Sequence, residues 1–275
     1  MNLTGKTALV TGATDGVGRL VAEALARDGA RVLIHGRNPE RGAAVLAALG
    51  NGDHAFCRAD LASLAAVRAL AADVLKRTDR LDILVNNAGV GSASRGGSGR
   101  ELSRDGHELR FAVNYLAPFL LTHLLLPTIQ RSAPARIVNV SSAGQQPIDF
   151  DDVMLAHGYD GTRAYRQSKL AQILFTVELA QRLKGSGVTV TCLHPATYMN
   201  TTMVRTAGHT PISKVEDGAD AVLQLAAAPA LDGKTGLYFN RKQEARADAQ
   251  AYDARARAAL WDLSLKLSGL PAGVV

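Results

Sequence analysis

Thr11-Gly12-Ala13-Thr14-Asp15-Gly16-Val17-Gly18 carries the reading of this chain. It follows a compact apolar run, residues 7–11, and leads into residues 16–28, where Val17, Leu20, Val21, Ala24 and Leu25 are spaced for one helical face. Glycines at 12, 16 and 18 permit a tight turn, close approach of backbone to a pyrophosphate, and close packing of the helix. The exposed N–H groups of the helix start then face the anion. Glycine trios also occur as plain tight turns, so it is the strand–loop–helix setting that gives this one its dinucleotide meaning.

Working outward, short apolar runs alternate with longer helical patterns. Strands are expected at residues 31–34, 55–57, 81–85, 136–140, 188–193 and 237–239, after the first at 7–11. Helices are expected at 39–49, from a cap at Asp60 to about residue 76, at 105–130 with an interruption near Pro118, at 162–183, and at 245–267. A Gly/Ser/Arg-rich loop covers 89–99. Strands apolar on both faces and alternating with helices predict a mostly or wholly parallel seven-stranded sheet between two helical layers. The expectation is α/β: a single Rossmann-type domain over residues 1–275, three-layer α/β/α.

Composition narrows the function classes. The chain has 275 residues, 47% apolar and 20% charged, enough for a substantial core. The net charge of +6 is scattered, as in Arg19, Glu23, Arg27 and Asp28, with no basic block interleaved with aromatics. No nucleic-acid partner is therefore expected. Cys57 and Cys192 follow no metal or CxxC spacing, and the seven histidines form no ligand cluster, so no metal is expected. The start of the chain lacks a signal-peptide layout, and the apolar stretch 116–129 is short and interrupted. A reduced, cytoplasmic protein without a transmembrane segment is the expectation.

The TGxxxGxG spacing, rather than GxGxxG, resembles the short-chain dehydrogenase/reductase family. Further matches fall in order: Asn86-Asn87-Ala88-Gly89, Val113-Asn114-Tyr115, Val138-Asn139-Val140-Ser141-Ser142 and Tyr165-x-x-x-Lys169. The resemblance covers almost the whole chain. It implies a nicotinamide dinucleotide held by Gly12, Thr14, Asp15, Gly16, Val17 and Gly18, by Asn87, Ala88 and Gly89, and by Asp60 and Leu61 near the adenine; helix capping is the competing role for Asp60. The expected second strand is followed by His35-Gly36-Arg37-Asn38, with no carboxylate. Arg37 suits the 2′-phosphate of NADP(H), the preferred cofactor, with NAD(H) possible; Asp15 argues mildly the other way. Pro195 is implied at the nicotinamide, and either Asn200 or Thr201 at its carboxamide, because the chain departs there from the usual pattern.

The resemblance also implies the chemistry. Tyr165 and Lys169 share a helix face, and Tyr165 is the general acid/base. An adjacent ammonium and an oxidised nicotinamide would lower its pKa; lowering it by about 3 units takes about 4 kcal/mol. Ser142, rather than Ser141, is implied to hold the substrate oxygen, and Asn114 to support a lysine-linked proton relay, so the catalytic set is Asn114, Ser142, Tyr165 and Lys169. The expected reaction is hydride transfer between nicotinamide C4 and a carbonyl or alcohol carbon of a small to medium apolar substrate.

Ser142 and Tyr165 are farther apart than in the simplest members. An insertion at about 143–161, the run Ala164 to Leu170, and Leu260-Trp261-Asp262-Leu263-Ser264 resemble the retinol-dehydrogenase-like and WW-domain-oxidoreductase-like branch. A substrate lid is expected at 197–214. Homodimers or homotetramers are possible through helices 105–130 and 162–183. Two other readings stand beside the enzyme: a catalytically silent dinucleotide-binding sensor or scaffold, and a nucleotide-sugar epimerase, for which the chain offers little room for a second lobe.

Overall fold

The computed structural model describes residues 1–93 and 99–273. The middle of the loop foreseen at 89–99 lies outside them. Strand β1 is Thr7–Val10, followed by α1 Gly16–Arg27, β2 Arg31–Gly36, α2 Pro39–Ala48, β3 Ala55–Arg58, α3 Leu64–Arg77 and β4 Ile83–Asn86. The second half continues with α4 Leu109–Phe111, α5 Ala117–Arg131, β5 Ala135–Val140, α6 Gly161–Arg182, β6 Val188–His194, α7 Thr202–Thr206, α8 Val215–Ala227, β7 Leu237–Asn240, β8 Gln243–Ala245 and α9 Ala254–Ser268.

The sheet runs β3-β2-β1-β4-β5-β6-β7-β8. It has eight strands instead of the expected seven, because β8 pairs antiparallel with β7 at the edge; the other pairings are parallel. Alternate strand residues feed two cores. Leu9, Leu33, Leu84 and Ile137 face the side of α3, α5, α6 and α9, whereas Val10, Ile34, Val85 and Val138 face α1 and α8. Burial on both faces is why these strands read as continuous apolar runs. The strand order reverses beside β1, between β1 and β4, and the carboxyl ends of the strands there open a crevice of the kind that binds ligands in such sheets.

Helix starts follow local capping chemistry. The Asp15, Asn38, Ser63, Asp160 and Asp253 side chains each accept a backbone N–H at a helix start. Two expectations change. The cap of α3 is Ser63, while Asp60 accepts from Ala62 N in the preceding turn. The C-terminal helix begins at Ala254, not 245, because residues 243–245 are spent on β8.

The interruption foreseen near Pro118 is a π turn over Ala112–Leu116, just before the proline. Pro118 follows directly inside the continuous run Leu109–Arg131, and its missing N–H falls where the π turn already shifts the hydrogen-bond pattern. The whole run Leu109–Arg131 has the length and composition of a membrane span, longer than the stretch weighed from sequence. Yet 89% of its most apolar window is buried inside the fold, as in a core helix. Trp261 of α9 packs on Phe119 and His123 of α5 and Phe175 of α6, and the Arg182 guanidinium lies 4.0 Å from the Trp261 ring centre. Much of the surface of α5 and α6 is thereby covered within the chain.

Three histidines are buried in the fold: His35, His123 and His194. Burial pushes each pKa down to about 4. His35 Nδ1 accepts from Gly12 N at 3.2 Å, which leaves Nε2–H to donate to Ala59 O at 3.2 Å and fixes the neutral tautomer. The unfolded chain takes up these protons near pH 6.5, before the folded chain does, so stability is full above that pH and falls toward 4. The expected loss by pH 5 is on the order of 2 kcal/mol per histidine, and His35→Asn flattens the slope. Urea unfolding at pH 7, 6 and 5 checks it; constant stability over that range would contradict it.

Candidate active site

The site begins where β1 and β4 end. Thr11 Oγ1 accepts from the backbone N–H of both Asn87 and Ala88, at 3.0 and 3.1 Å. Asn87 Nδ2 donates back to Thr11 O at 2.9 Å and Gly12 O at 3.2 Å. The two loops are so close that a Cβ on Gly12 would come within 2.8 Å of Ala88 Cα, and one on Gly18 within 2.4 Å of Gly12 O. Gly12 also holds φ +64°, a left-handed conformation. These glycines leave backbone N–H groups bare at the start of the 12-residue α1, where Val17 is buried and Thr14 half-exposed.

Asp15 caps α1 by accepting from Gly16 N at 2.8 Å. Its other oxygen accepts from Thr202 Oγ1 at 2.7 Å and faces Arg41 at 3.7 Å. The segment foreseen as a lid is thus docked on the glycine loop. Thr201 Cγ2 lies 3.3 Å from where a Gly16 Cβ would stand, whereas Asn200 Oδ1 accepts from Arg205, at 2.7 Å. Of the two candidates left open by sequence, Thr201 is the one against the glycine loop. Met203 reaches Gly91, and Tyr198, Met203 and Ile212 expose apolar surface.

Arg37 stands exposed just beyond β2, and its carbonyl accepts from Arg58 Nε at 3.2 Å. Arg58 is a second cation at this end of the crevice that sequence reasoning passed over. Leu61 is buried next to Asp60, which lies beside β3's end with Arg104 at 4.0 Å. Pro195 is buried after β6. The bare loop and the close-packed glycines fit a nicotinamide dinucleotide.

On the other side of the crevice, α6 presents Tyr165 half-buried and Lys169 fully buried. Lys169 Nζ is 5.9 Å from the Tyr165 ring centre. It donates to Val140 O at 2.9 Å and to Gln172 Oε1 at 3.0 Å. Ser142 Oγ and the Tyr165 ring converge at Gly144, where a Cβ would stand 3.5 Å from Ser142 Oγ and 3.8 Å from Tyr165 Cε1. Ser142 Oγ accepts from Gly144 N at 3.0 Å, leaving its own O–H to donate. Gln145 Nε2 and the Tyr238 hydroxyl both donate to Ser142 O, at 3.0 and 3.3 Å. Ser141 is turned inward, donating to Lys169 O at 2.7 Å.

Asn114 sits in the π turn. Its Oδ1 accepts from Val90 N at 2.7 Å, while Nδ2 donates to Val90 O at 3.0 Å and Ser168 Oγ at 2.9 Å. A Cβ on Gly89 would stand 3.1 Å from Asn114 Oδ1 and 3.6 Å from Lys169 Nζ. One turn earlier, buried Arg110 holds the Gly91 and Ser92 carbonyls and meets Tyr159 of the insertion at 2.6 Å. The insertion therefore braces the loop after β4. Of the residues missed from sequence, Ser168 had a signal, its place inside the Tyr165–Lys169 motif; Gln145, Tyr159 and Tyr238 are brought in by long-range packing.

Burial sets the direction of both active-site shifts. It pushes the Tyr165 phenol above its ordinary value, with the Ser142 hydroxyl opposing, and it pushes the Lys169 ammonium down to about 7. The lowering expected from sequence includes the charge of an oxidised nicotinamide; in the polypeptide by itself burial sets the direction.

These are the parts of a known architecture, and comparison with known proteins agrees. The family described as short chain dehydrogenase matches residues 6–211. The chain is a short chain dehydrogenase. This dehydrogenase is 40% identical over 294 residues to dehydrogenase/reductase SDR family member 13 of Bos taurus, covering 99% of this chain and 75% of that one. It is 38% identical over 286 residues to retinol dehydrogenase 11 of Mus musculus, covering 98% and 89%. It falls in the retinol-dehydrogenase-like branch and is an oxidoreductase. The structure of a Pseudomonas aeruginosa RhlG/NADP active-site complex is similar at TM-score 0.71 and 32% identity, covering 87% of this dehydrogenase and 95% of that chain.

A lysine pKa near 7 means that burying the ammonium costs stability below neutrality. From pH 7 to about 10.5 the unfolded chain holds the proton that the folded chain has released, so stability rises with pH. Lys169→Met is therefore expected to melt higher than wild type at pH 6, with an advantage that shrinks by roughly half at pH 9. Thermal unfolding at both values checks this, and a pH-independent difference would contradict it.

Proposed function

We propose that this protein is an NADP(H)-dependent oxidoreductase that moves hydride between nicotinamide C4 and a carbonyl or alcohol carbon, with Tyr165 as general acid/base. The observation that carries the reading is the conjunction of Tyr165, its neighbour Ser142 and the buried Lys169 at the strand ends, facing the glycine loop across the β1–β4 crevice.

A bound nicotinamide supplies or accepts the hydride. The rest falls to the protein. The N–H groups of the glycine loop other than those of Gly12, Ala13 and Gly16, which donate to His35 and Asp15, are offered to the pyrophosphate, and Thr201 closes over Gly16. Arg37 and Arg58 offer guanidinium donors to a 2′-phosphate. In reduction the Tyr165 hydroxyl donates its proton to the developing alkoxide while Ser142 O–H donates a hydrogen bond to the same oxygen; in oxidation Tyr165 accepts the proton. Lys169 contributes positive charge behind Tyr165 and favours phenolate. The apolar lid residues Tyr198, Met203 and Ile212 support an apolar substrate of small to medium size. Buried, free Cys57 and Cys192, both pushed up to about 12 by burial, are compatible with the reduced, cytoplasmic setting that forms part of this proposal.

Parallel fluorescence titrations with NADPH and NADH test the cofactor assignment. NADPH is expected to bind at least about tenfold more tightly, about 1.4 kcal/mol, and Arg37→Ala to erase most of that preference. Equal or tighter NADH binding would overturn it. Tyr165→Phe is expected to lower carbonyl reduction by about 100-fold or more while leaving NADPH affinity within a few-fold. Tight binding with no turnover in wild type would favour a sensor, and conversion of a sugar nucleotide without net cofactor change an epimerase.

We also infer a monomer, because α5 and α6, the helices through which pairing was foreseen, are buried within the chain along most of their length, α5 against α3 and α6 against α9. Light scattering is expected to return the single-chain mass of 29.0 kDa. A stable dimer disrupted by substitutions on α5 or α6 would contradict it.

A further inference from the structure

Lys169 is held from behind by a side chain that the proposed mechanism leaves without a role. Gln172 follows it by three positions on α6 and is 1% exposed. Its Oε1 accepts from Lys169 Nζ at 3.0 Å, on the inner side of the site. Its Nε2 is buried with no hydrogen-bond partner among the described residues. An orphaned buried amide is costly, and an apolar side chain of similar shape would serve the fold better. What the amide provides is an acceptor for the lysine.

The chemistry of the two groups makes this specific. An ammonium only donates, so it requires the amide oxygen. An amine carries a lone pair and can accept from the amide nitrogen after the carboxamide turns over. One residue can thus partner either protonation state. The backbone beneath it is fixed by a buried polar string. The Thr176 hydroxyl donates to Gln172 O at 2.8 Å, Asn139 Nδ2 donates to Thr176 Oγ1 at 2.9 Å, and Asn86 Nδ2 donates to Asn139 Oδ1 at 2.8 Å.

No carboxylate, histidine or second cation shifts Lys169; burial alone does. The neighbours contributed by other elements are the Val140 carbonyl of β5, Gly89 after β4 and, through Gly89, Asn114 of the π turn. On α6 itself, Tyr165 is the titratable group that faces it among the described residues. With so few partners, each hydrogen bond to Nζ carries weight in its protonation equilibrium.

We propose that Gln172 is a positioning residue for Lys169, holding Nζ against the Val140 carbonyl and setting the ammonium–amine balance that Tyr165 depends on. This rests on the proton-transfer reading of Tyr165. Gln172→Leu removes the acceptor and favours the amine. Less positive charge then stands behind Tyr165, phenolate is harder to form, and alcohol oxidation requires higher pH.

The direct test is NMR titration of protein carrying ¹³C-labelled lysine, without cofactor, with the Lys169 resonance identified by its loss in Lys169→Arg. Gln172→Leu is expected to lower the Lys169 midpoint by about one pH unit, tenfold in the protonation equilibrium, and Gln172→Glu to raise it. Thr176→Val, which breaks the next link without touching Nζ, is expected to leave it in place. In alcohol oxidation with NADP⁺, the limb reporting Tyr165 ionisation should move to higher pH in Gln172→Leu. If that variant does not fold, Gln172→Met and Gln172→Glu carry the same comparison. An unchanged midpoint in a folded Gln172 variant, or an equal shift in Thr176→Val, overturns the proposal. A shifted midpoint in a protein whose wild type turns over no carbonyl refutes the Tyr165 reading alone.

Discussion

A parallel sheet whose strand order reverses must hold two neighbouring strand ends together while leaving the crevice between them open. Here that constraint is met by the Thr11 hydroxyl, which accepts from two successive N–H groups, and by the Asn87 amide, which returns two hydrogen bonds. Because these bonds satisfy the backbone from within, the remaining N–H groups of the glycine loop stay available. Glycine at 12 and 18 is then a steric necessity, since a Cβ at either would collide with backbone. His35 locks the same loop from the β2 side, tying Gly12 to Ala59. The cofactor half of the site is therefore set by the fold before any ligand arrives.

The half of the site built on Tyr165 and Lys169 is arranged differently, and at a cost in stability. Lys169 is charged only against the resistance of its surroundings, with a backbone carbonyl and one amide as its acceptors. A well-packed apolar residue there would give a more stable protein. The arrangement makes sense as preorganisation: a lysine titrating near neutrality, fixed behind a phenol whose own pKa is raised by burial, responds strongly to any charge that enters the crevice beside it. The insertion adds rigidity from a distance, since Tyr159, Glu108 and Arg110 brace the loop that Asn114 also holds.

Most of the architecture is legible in the sequence because two-sided burial writes itself as unbroken apolar runs, and because Tyr165 and Lys169 sit one helical turn apart. The exceptions have physical causes. Strand β8, Gln243–Ala245, is a short polar edge strand with no periodicity to detect. In the apolar stretch around Asn114, α-helical and π-helical spacing give the same pattern, so the turn that aims its amide is invisible. Asp60 and Ser63 are both good caps, and only the folded chain distinguishes them. Asp253, which caps α9, was a readable signal for a later helix start than the one inferred. Gln172 is hidden for another reason: on a helix buried almost all round, a polar residue facing the active site looks like any other interruption.

Transfer of label tests the central claim most directly. With NADPH carrying deuterium at both C4 positions of the nicotinamide, mass spectrometry of the alcohol formed from an apolar aldehyde or ketone should show one deuterium on the former carbonyl carbon. Tyr165→Phe should lose that product while still binding NADPH. Turnover without deuterium in the product, or labelled product formed as fast by Tyr165→Phe as by wild type, would contradict the account.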